Sequence, residues 1–201
     1  MNLKYLGDAL DHWKGSLFEY LVNEGVLHEF AVDPMASDLL EWDETDYSLF
    51  ARLLRIKESQ IILHRVPLRD RGRYFAEITH KGDLFLDPDT GIATNRGGKE
   101  EQYIRPREVA SLLGDVPSRL LAVYQHVRAQ KVMVRVDTCI ATVAMDIENF
   151  GWCSYESGTV AMLFLSRRED RTQVVAKALE YLLGRHAVQR VRVGVSRSSG
   201  G

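Results

Sequence analysis

The stretch that most constrains this chain is Leu84-Phe85-Leu86, a short apolar run that stops at Asp87-Pro88-Asp89-Thr90-Gly91. The run is too short for a buried helix. Unbroken apolar character, in place of a polar/apolar alternation, marks a strand covered on both faces. Pro88 fixes its own φ and turns Asp87 away from helix, so two carboxylates stand in an extended turn at a strand end. Gly91 supplies a point where the backbone can come close to a neighbour.

The rest of the chain alternates in the way such a strand requires. Leu10, Trp13, Leu17 and Leu21 form one helical stripe, with Asp8 as N-cap and Gly25 as the left-handed stop. Val26 to Val32 reads as a strand closed by Asp33-Pro34, Tyr47 to Ile56 as a helix, Ile61 to Leu63 as a buried strand and Tyr74 to Thr79 as a short helix. A helix follows from Arg105 through Leu113, with Pro106 near its first position, and then a strand from Leu120 to Tyr124 ending at Gln125-His126. A helical or mixed segment to about Met145 precedes a hairpin, Trp152 to Tyr155 and Val160 to Leu165, turning at Gly158. Thr172 to Leu183 is an amphipathic helix and Val191 to Val195 an edge strand. These elements predict one α/β domain over residues 1–195 with a disordered tail at 196–201. The architecture expected is three-layered and Rossmann-like: a mainly parallel sheet between helices, with a C-terminal antiparallel hairpin.

Composition narrows the function classes. A formal net charge of −2 argues against coating nucleic acid by bulk charge. Two cysteines, Cys139 and Cys153, with no ligand spacing around them, give no disulfide scaffold and no zinc site. No apolar run is long enough to span a membrane and no signal peptide is evident, so the expected address is the cytoplasm, with no membrane partner.

In a parallel α/β sheet ligands bind outside the carboxyl ends of the strands, where the strand order reverses. Three polar strand ends meet that condition: Asp33-Pro34, Asp87-Pro88-Asp89 and Tyr124-Gln125-His126. Taken alone, an Asp-Pro-Asp-x-Gly sequence is more often a plain turn, and its place after a very apolar strand weighs toward the functional reading. Asp11 and Lys14 lie three apart on the first helix, off its apolar stripe, where the plain expectation is an exposed ion pair contributing roughly 0.2–0.5 kcal/mol. Lys14-Gly15-Ser16 lacks the glycine loop of a phosphate-binding P-loop.

Two segments taken together resemble known families. Gly7-Asp8-x-x-Asp11-x-x-Lys14 is similar to the segment near the start of the large-subunit ribosomal RNA adenine-N6 methyltransferases that contributes to binding S-adenosylmethionine; the catalytic strand of those enzymes ends in Asp-Pro-Pro-Tyr, matched here by Asp87-Pro88-Asp89-Thr90. More closely, Gly7-Asp8, Asp11 and Lys14, then Phe85 to Gly91, Lys99, Tyr103 and Tyr124-Gln125-His126 resemble, in order, a bacterial family of unassigned function that carries Gly-Asp-x-x-Asp-x-x-Lys, Asp-Pro-Asp-x-Gly and Tyr-Gln-His. The chain departs from the methyltransferases at two places. Asp33-Pro34-Met35-Ala36-Ser37 stands where their glycine loop would be, and Asp89 and Thr90 replace the residues that grip the target base.

The resemblance implies a methyltransferase-like enzyme acting on nucleic acid, with a degenerate cofactor site. Asp8, Asp11, Lys14 and Asp33 would lie at S-adenosylmethionine, and Asp87, Asp89 and His126 would form the catalytic set. The alternative read from the residues is a divalent-metal-dependent phosphodiesterase or nuclease, with Asp8, Asp11, Asp87 and Asp89 holding Mg²⁺ or Mn²⁺. A non-catalytic binding module on the same fold is the third reading.

Overall fold

A computed structural model of the protein describes residues 1–37, 41–94, 100–128 and 130–197. Lys99 and most of the 196–201 tail therefore lie outside the described residues. Eight strands and six α-helices are present there: α1 (Ala9–Asn23), β1 (Ala31–Asp33), α2 (Glu44–Leu54), α3 (Arg71–Ala76), β2 (Leu84–Leu86), β3 (Gly91–Ile92), β4 (Tyr103–Ile104), α4 (Pro106–Asp115), β5 (Leu121–His126), α5 (Val132–Val143), β6 (Phe150–Ser157), β7 (Val160–Ser166), α6 (Glu169–Leu183) and β8 (Val191–Ser196). Among the described residues no helix is long and apolar enough to cross a membrane.

Six strands form one sheet in the order β1-β2-β5-β7-β6-β8, and β3 and β4 pair separately. The expected mainly parallel sheet is mixed. β1, β2 and β5 pair in parallel, whereas β5, β7, β6 and β8 pair antiparallel. The reason is local: β6 and β7 are joined through Gly158, at φ 61°, and so short a connection can only reverse the chain. The strand expected at Ile61 to Leu63 survives as a single parallel bridge from Ile61 to Val32.

Strand periodicity divides the core into two clusters. Val32, Phe85, Ala122, Tyr124, Met162 and Phe164 face α1, α2 and α6. Leu84, Leu86, Leu121, Val123, Leu163 and Leu165 face α3, α4 and α5. Period-two alternation alone sends these neighbours to opposite faces of the sheet. That parity decides below which polar strand ends can meet.

Helix α1 begins where the sequence expects, with the Asp8 carboxylate accepting from the amides of Leu10 and Asp11. It ends through Gly25 at φ 66°. Against α2 it packs so closely at Gly15 that a methyl group there would overlap the Leu53 carbonyl oxygen. Alanine normally favours a helix over glycine by about 1 kcal/mol. Here Gly15→Ala is expected to destabilise by about 1–3 kcal/mol, because the backbone must move to admit it. A lowered thermal unfolding midpoint checks the sign.

Candidate functional site

Asp87 follows β2 at the parity of Phe85, so its side chain points toward α1. There Lys14 Nζ donates to Asp87 Oδ2 at 2.8 Å and to Asp11 Oδ1 at 3.0 Å. The pair expected to be exposed is deeply buried, with Asp11 1% and Lys14 3% accessible. Asp11 Oδ2 also accepts from the Gly7 amide at 2.9 Å, which closes the turn before the helix. The ammonium lies 4.4 Å from the Tyr124 ring centroid, on the ring's negative face. Burial alone would lower the Lys14 pKa, but Asp87 and Asp11 outweigh it and hold the amine charged. Burial pushes the Asp87 carboxyl up, with Lys14 opposing. The Met1 amino nitrogen donates to the carbonyls of Met35 and Asp87, both at 2.8 Å, and lies 3.3 Å from Asp89 Oδ1.

A pocket of about 150 Å³ opens over this cluster, lined in part by Asp8, Asp11, Lys14, Asp89, Tyr124 and His126. Tyr124 and His126 lie two apart on β5 and so share a face, with the phenol oxygen 3.3 Å from His126 Nδ1. Burial, and then Arg128, lowers the His126 pKa, leaving the imidazole neutral at pH 7. Tyr124 is raised by burial, so it stays a phenol. A neutral imidazole beside a phenol at a pocket wall can accept one proton.

Gln125 points to the opposite face and is fully buried. Its Oε1 accepts from the Ile92 amide at 2.9 Å, and its Nε2 donates to the Thr90 carbonyl at 2.8 Å. One side chain thereby holds the turn that carries Asp87 and Asp89 against β5. The sequence offered Tyr124-Gln125-His126 as a single polar strand end. The structure separates it into two pocket residues and one anchor.

Asp33 is corrected by the same parity. It follows Val32 on β1 and faces α3, away from the pocket. Tyr74 donates to its Oδ1 at 2.6 Å, as does the Met35 amide at 2.8 Å, and His64 Nε2 lies 3.0 Å from Oδ2. Asp33 does not line the pocket. His64 and Tyr74, stacked at 3.5 Å, were not singled out from the sequence, and no local motif marks them. Arg71 was missed too; it forms a buried ion pair with Glu108 and donates to the Glu100 and Tyr103 carbonyls.

The four-aspartate cation cage also fails to assemble. Asp11 and Asp87 share Lys14, Asp8 caps α1, and Asp89 accepts from Ser37 Oγ at 3.1 Å. Among the described residues no three His, Cys, Asp or Glu side chains are grouped so as to hold a metal ion. The lysine ammonium stands where a cation bridging Asp11 and Asp87 would have to be. Asp8, Asp11, Lys14, Asp87, Asp89 and His126 are thus brought together, and Asp33 is not.

No family model matches the chain, and no curated protein matches it. Among solved structures, one similar chain is protein LPL1258 from Legionella pneumophila str. Philadelphia 1, described with the family label DUF519. It shares 12% identity at a TM-score of 0.45, over 85% of this chain and 61% of that one. The present chain therefore spans less than two thirds of the length of that protein.

Proposed function

We propose that this protein is a methyltransferase-like enzyme acting on nucleic acid, built on a three-layer Rossmann-like fold with a C-terminal antiparallel β6–β7 hairpin. The observation that carries the reading is the reversal of strand order at β1. From β1 the chain runs outward to Ile61 and then returns past β1 to β2, so the crevice between the carboxyl ends of β1 and β2 is a switch point of the kind that binds ligands in open α/β sheets. Asp87 stands at that crevice with Lys14 fixed on it.

S-adenosylmethionine, when bound, supplies an electrophilic methyl group. A volume of about 150 Å³ is below the roughly 300 Å³ at which ordinary ligand pockets begin, so binding requires the residues over the pocket, Met1 and Tyr5, to move aside. The carboxylates of Asp8 and Asp89 suit the positive charge of such a cofactor. Lys14 fixes Asp87, so Asp87 acts by holding the strand end in position, and the proton released by the substrate goes to His126.

The test is calorimetry with S-adenosylmethionine, followed by transfer of labelled methyl to total RNA. Saturable binding is expected. His126→Ala should reduce transfer by about 10²–10⁴-fold, the usual contribution of a positioned base, with cofactor affinity nearly unchanged. Absence of binding at millimolar cofactor overturns the reading. Binding without transfer would leave a non-catalytic module on the same fold.

A further inference from the structure

At the amino ends of the strands, the pole opposite the pocket, lies a groove of about 650 Å³ whose lining includes Lys81, Arg119, Arg168 and Arg171, with Asp83 and Glu29 as its acidic residues. Asp83 is spent on Arg171 and on backbone amides, which leaves Lys81 without a carboxylate partner among the described residues. Its Oδ1 accepts from the Leu120 amide at 2.8 Å, and its Oδ2 accepts from the His28 amide at 2.7 Å and pairs with Arg171. It ties together the segments that lead into β1, β2 and β5.

Arg119 is 2% accessible and makes no ion pair among the described residues. Its guanidinium donates instead to the carbonyls of Gly82, Leu112 and His80, so a positive charge is built rigidly into the floor with no carboxylate hydrogen-bonded to it among the described residues. Burial lowers its pKa from the ordinary arginine value, with Asp115 and Asp83 opposing, and an arginine remains a cation under such a shift. Lys81 makes no ion pair among the described residues. Arg171 Nε lies buried without an acceptor. Among the described residues the Arg168 side chain pairs with Asp170 on the rim. Arginine forks with a free lysine are the usual donors to a tetrahedral oxyanion.

The geometry points to this groove as a site for a phosphate group, carried either by a small anion or by a nucleic-acid backbone. The site does not rest on the reading of the pocket, which lies at the other end of the strands. Nothing but the cations of the groove is needed to hold the ligand.

The experiment is an amide chemical-shift titration with inorganic phosphate, at ionic strength matched with chloride, and a second titration with a short single-stranded RNA. Saturable shifts are expected at Gly82, Ser118 and Arg168. Lys81→Glu and Arg168→Glu, both exposed and harmless to the core, should each weaken binding at least tenfold, the loss of one hydrogen bond to a charged group. Arg185→Glu, outside the groove, should leave it unchanged. Shifts with both ligands assign the phosphate to a nucleic-acid backbone, and shifts with phosphate alone assign it to a small anion. No saturable shift with either, or shifts that survive Lys81→Glu, overturns the site.

Discussion

Replacing Lys14 with alanine is expected to lower the free energy of unfolding by about 3–5 kcal/mol, the usual loss when one partner of a buried ion pair is removed and the other stays. Both carboxylates involved are almost inaccessible, so neither can recover a full hydration shell. The pH dependence identifies the cause. In the variant, burial holds the Asp87 carboxyl above its unfolded value with no lysine to oppose it, so the folded state binds the proton more tightly than the unfolded state. Stability must then rise as pH falls toward the carboxylate range and decline as pH rises. In the wild type, Lys14 is raised by its two carboxylates against the opposing effect of burial. Its contribution is therefore complete below the ordinary lysine value and lost only in stronger alkali. Urea unfolding at a series of pH values distinguishes the two profiles. A variant with the same slope as wild type in acid would show that Asp87 is not left uncompensated.

Gly91→Ala should be nearly as damaging, at about 3 kcal/mol. The residue sits at φ 117°, a conformation that costs a non-glycine residue about 1–3 kcal/mol. An added methyl would also overlap the Gln125 amide. Displacing that amide leaves the Ile92 N–H without its acceptor, a further penalty of about 1–3 kcal/mol. Gln125→Met separates the two contributions, because it removes the acceptor while leaving glycine in place. It should reproduce roughly half of the loss in denaturant unfolding, and a neutral Gly91→Ala would show that the loop is not held as described.

Long, regular signals in the sequence translated well into structure. The α1 stripe, its Asp8 cap and the Gly25 stop all form, because each is decided within one or two turns. The Leu84-Phe85-Leu86 strand and its acidic end are likewise where the apolar run puts them. What a single sequence hides is the meeting of distant residues. Asp11 and Lys14 read as a surface pair because their partner Asp87 is 73 positions away from Lys14, and only the fold brings it over the helix. Asp33 read as a site residue because it ends a strand. Its side chain is turned to the other face by a count of one residue, and His64 and Tyr74 then consume it. The mixed half of the sheet was visible as a hairpin, yet the consequence for strand direction depends on where that hairpin docks. Metal binding looked plausible from four aspartates. A lysine between two of them makes the same charges into an internal salt bridge.

The two-sided character of β5 has a consequence for how such a protein can change over time. Tyr124 and His126 touch the pocket while Gln125, between them, fastens the turn on the reverse side. Chemistry and anchorage thus occupy alternating letters of the same word. Residue 126, which is only partly buried, can be exchanged to suit a new ligand without loosening the loop, provided 125 and the core residue 124 are kept. A library randomised at position 126 alone should consequently yield mostly folded proteins with altered pockets, whereas one randomised at position 125 should yield few that fold.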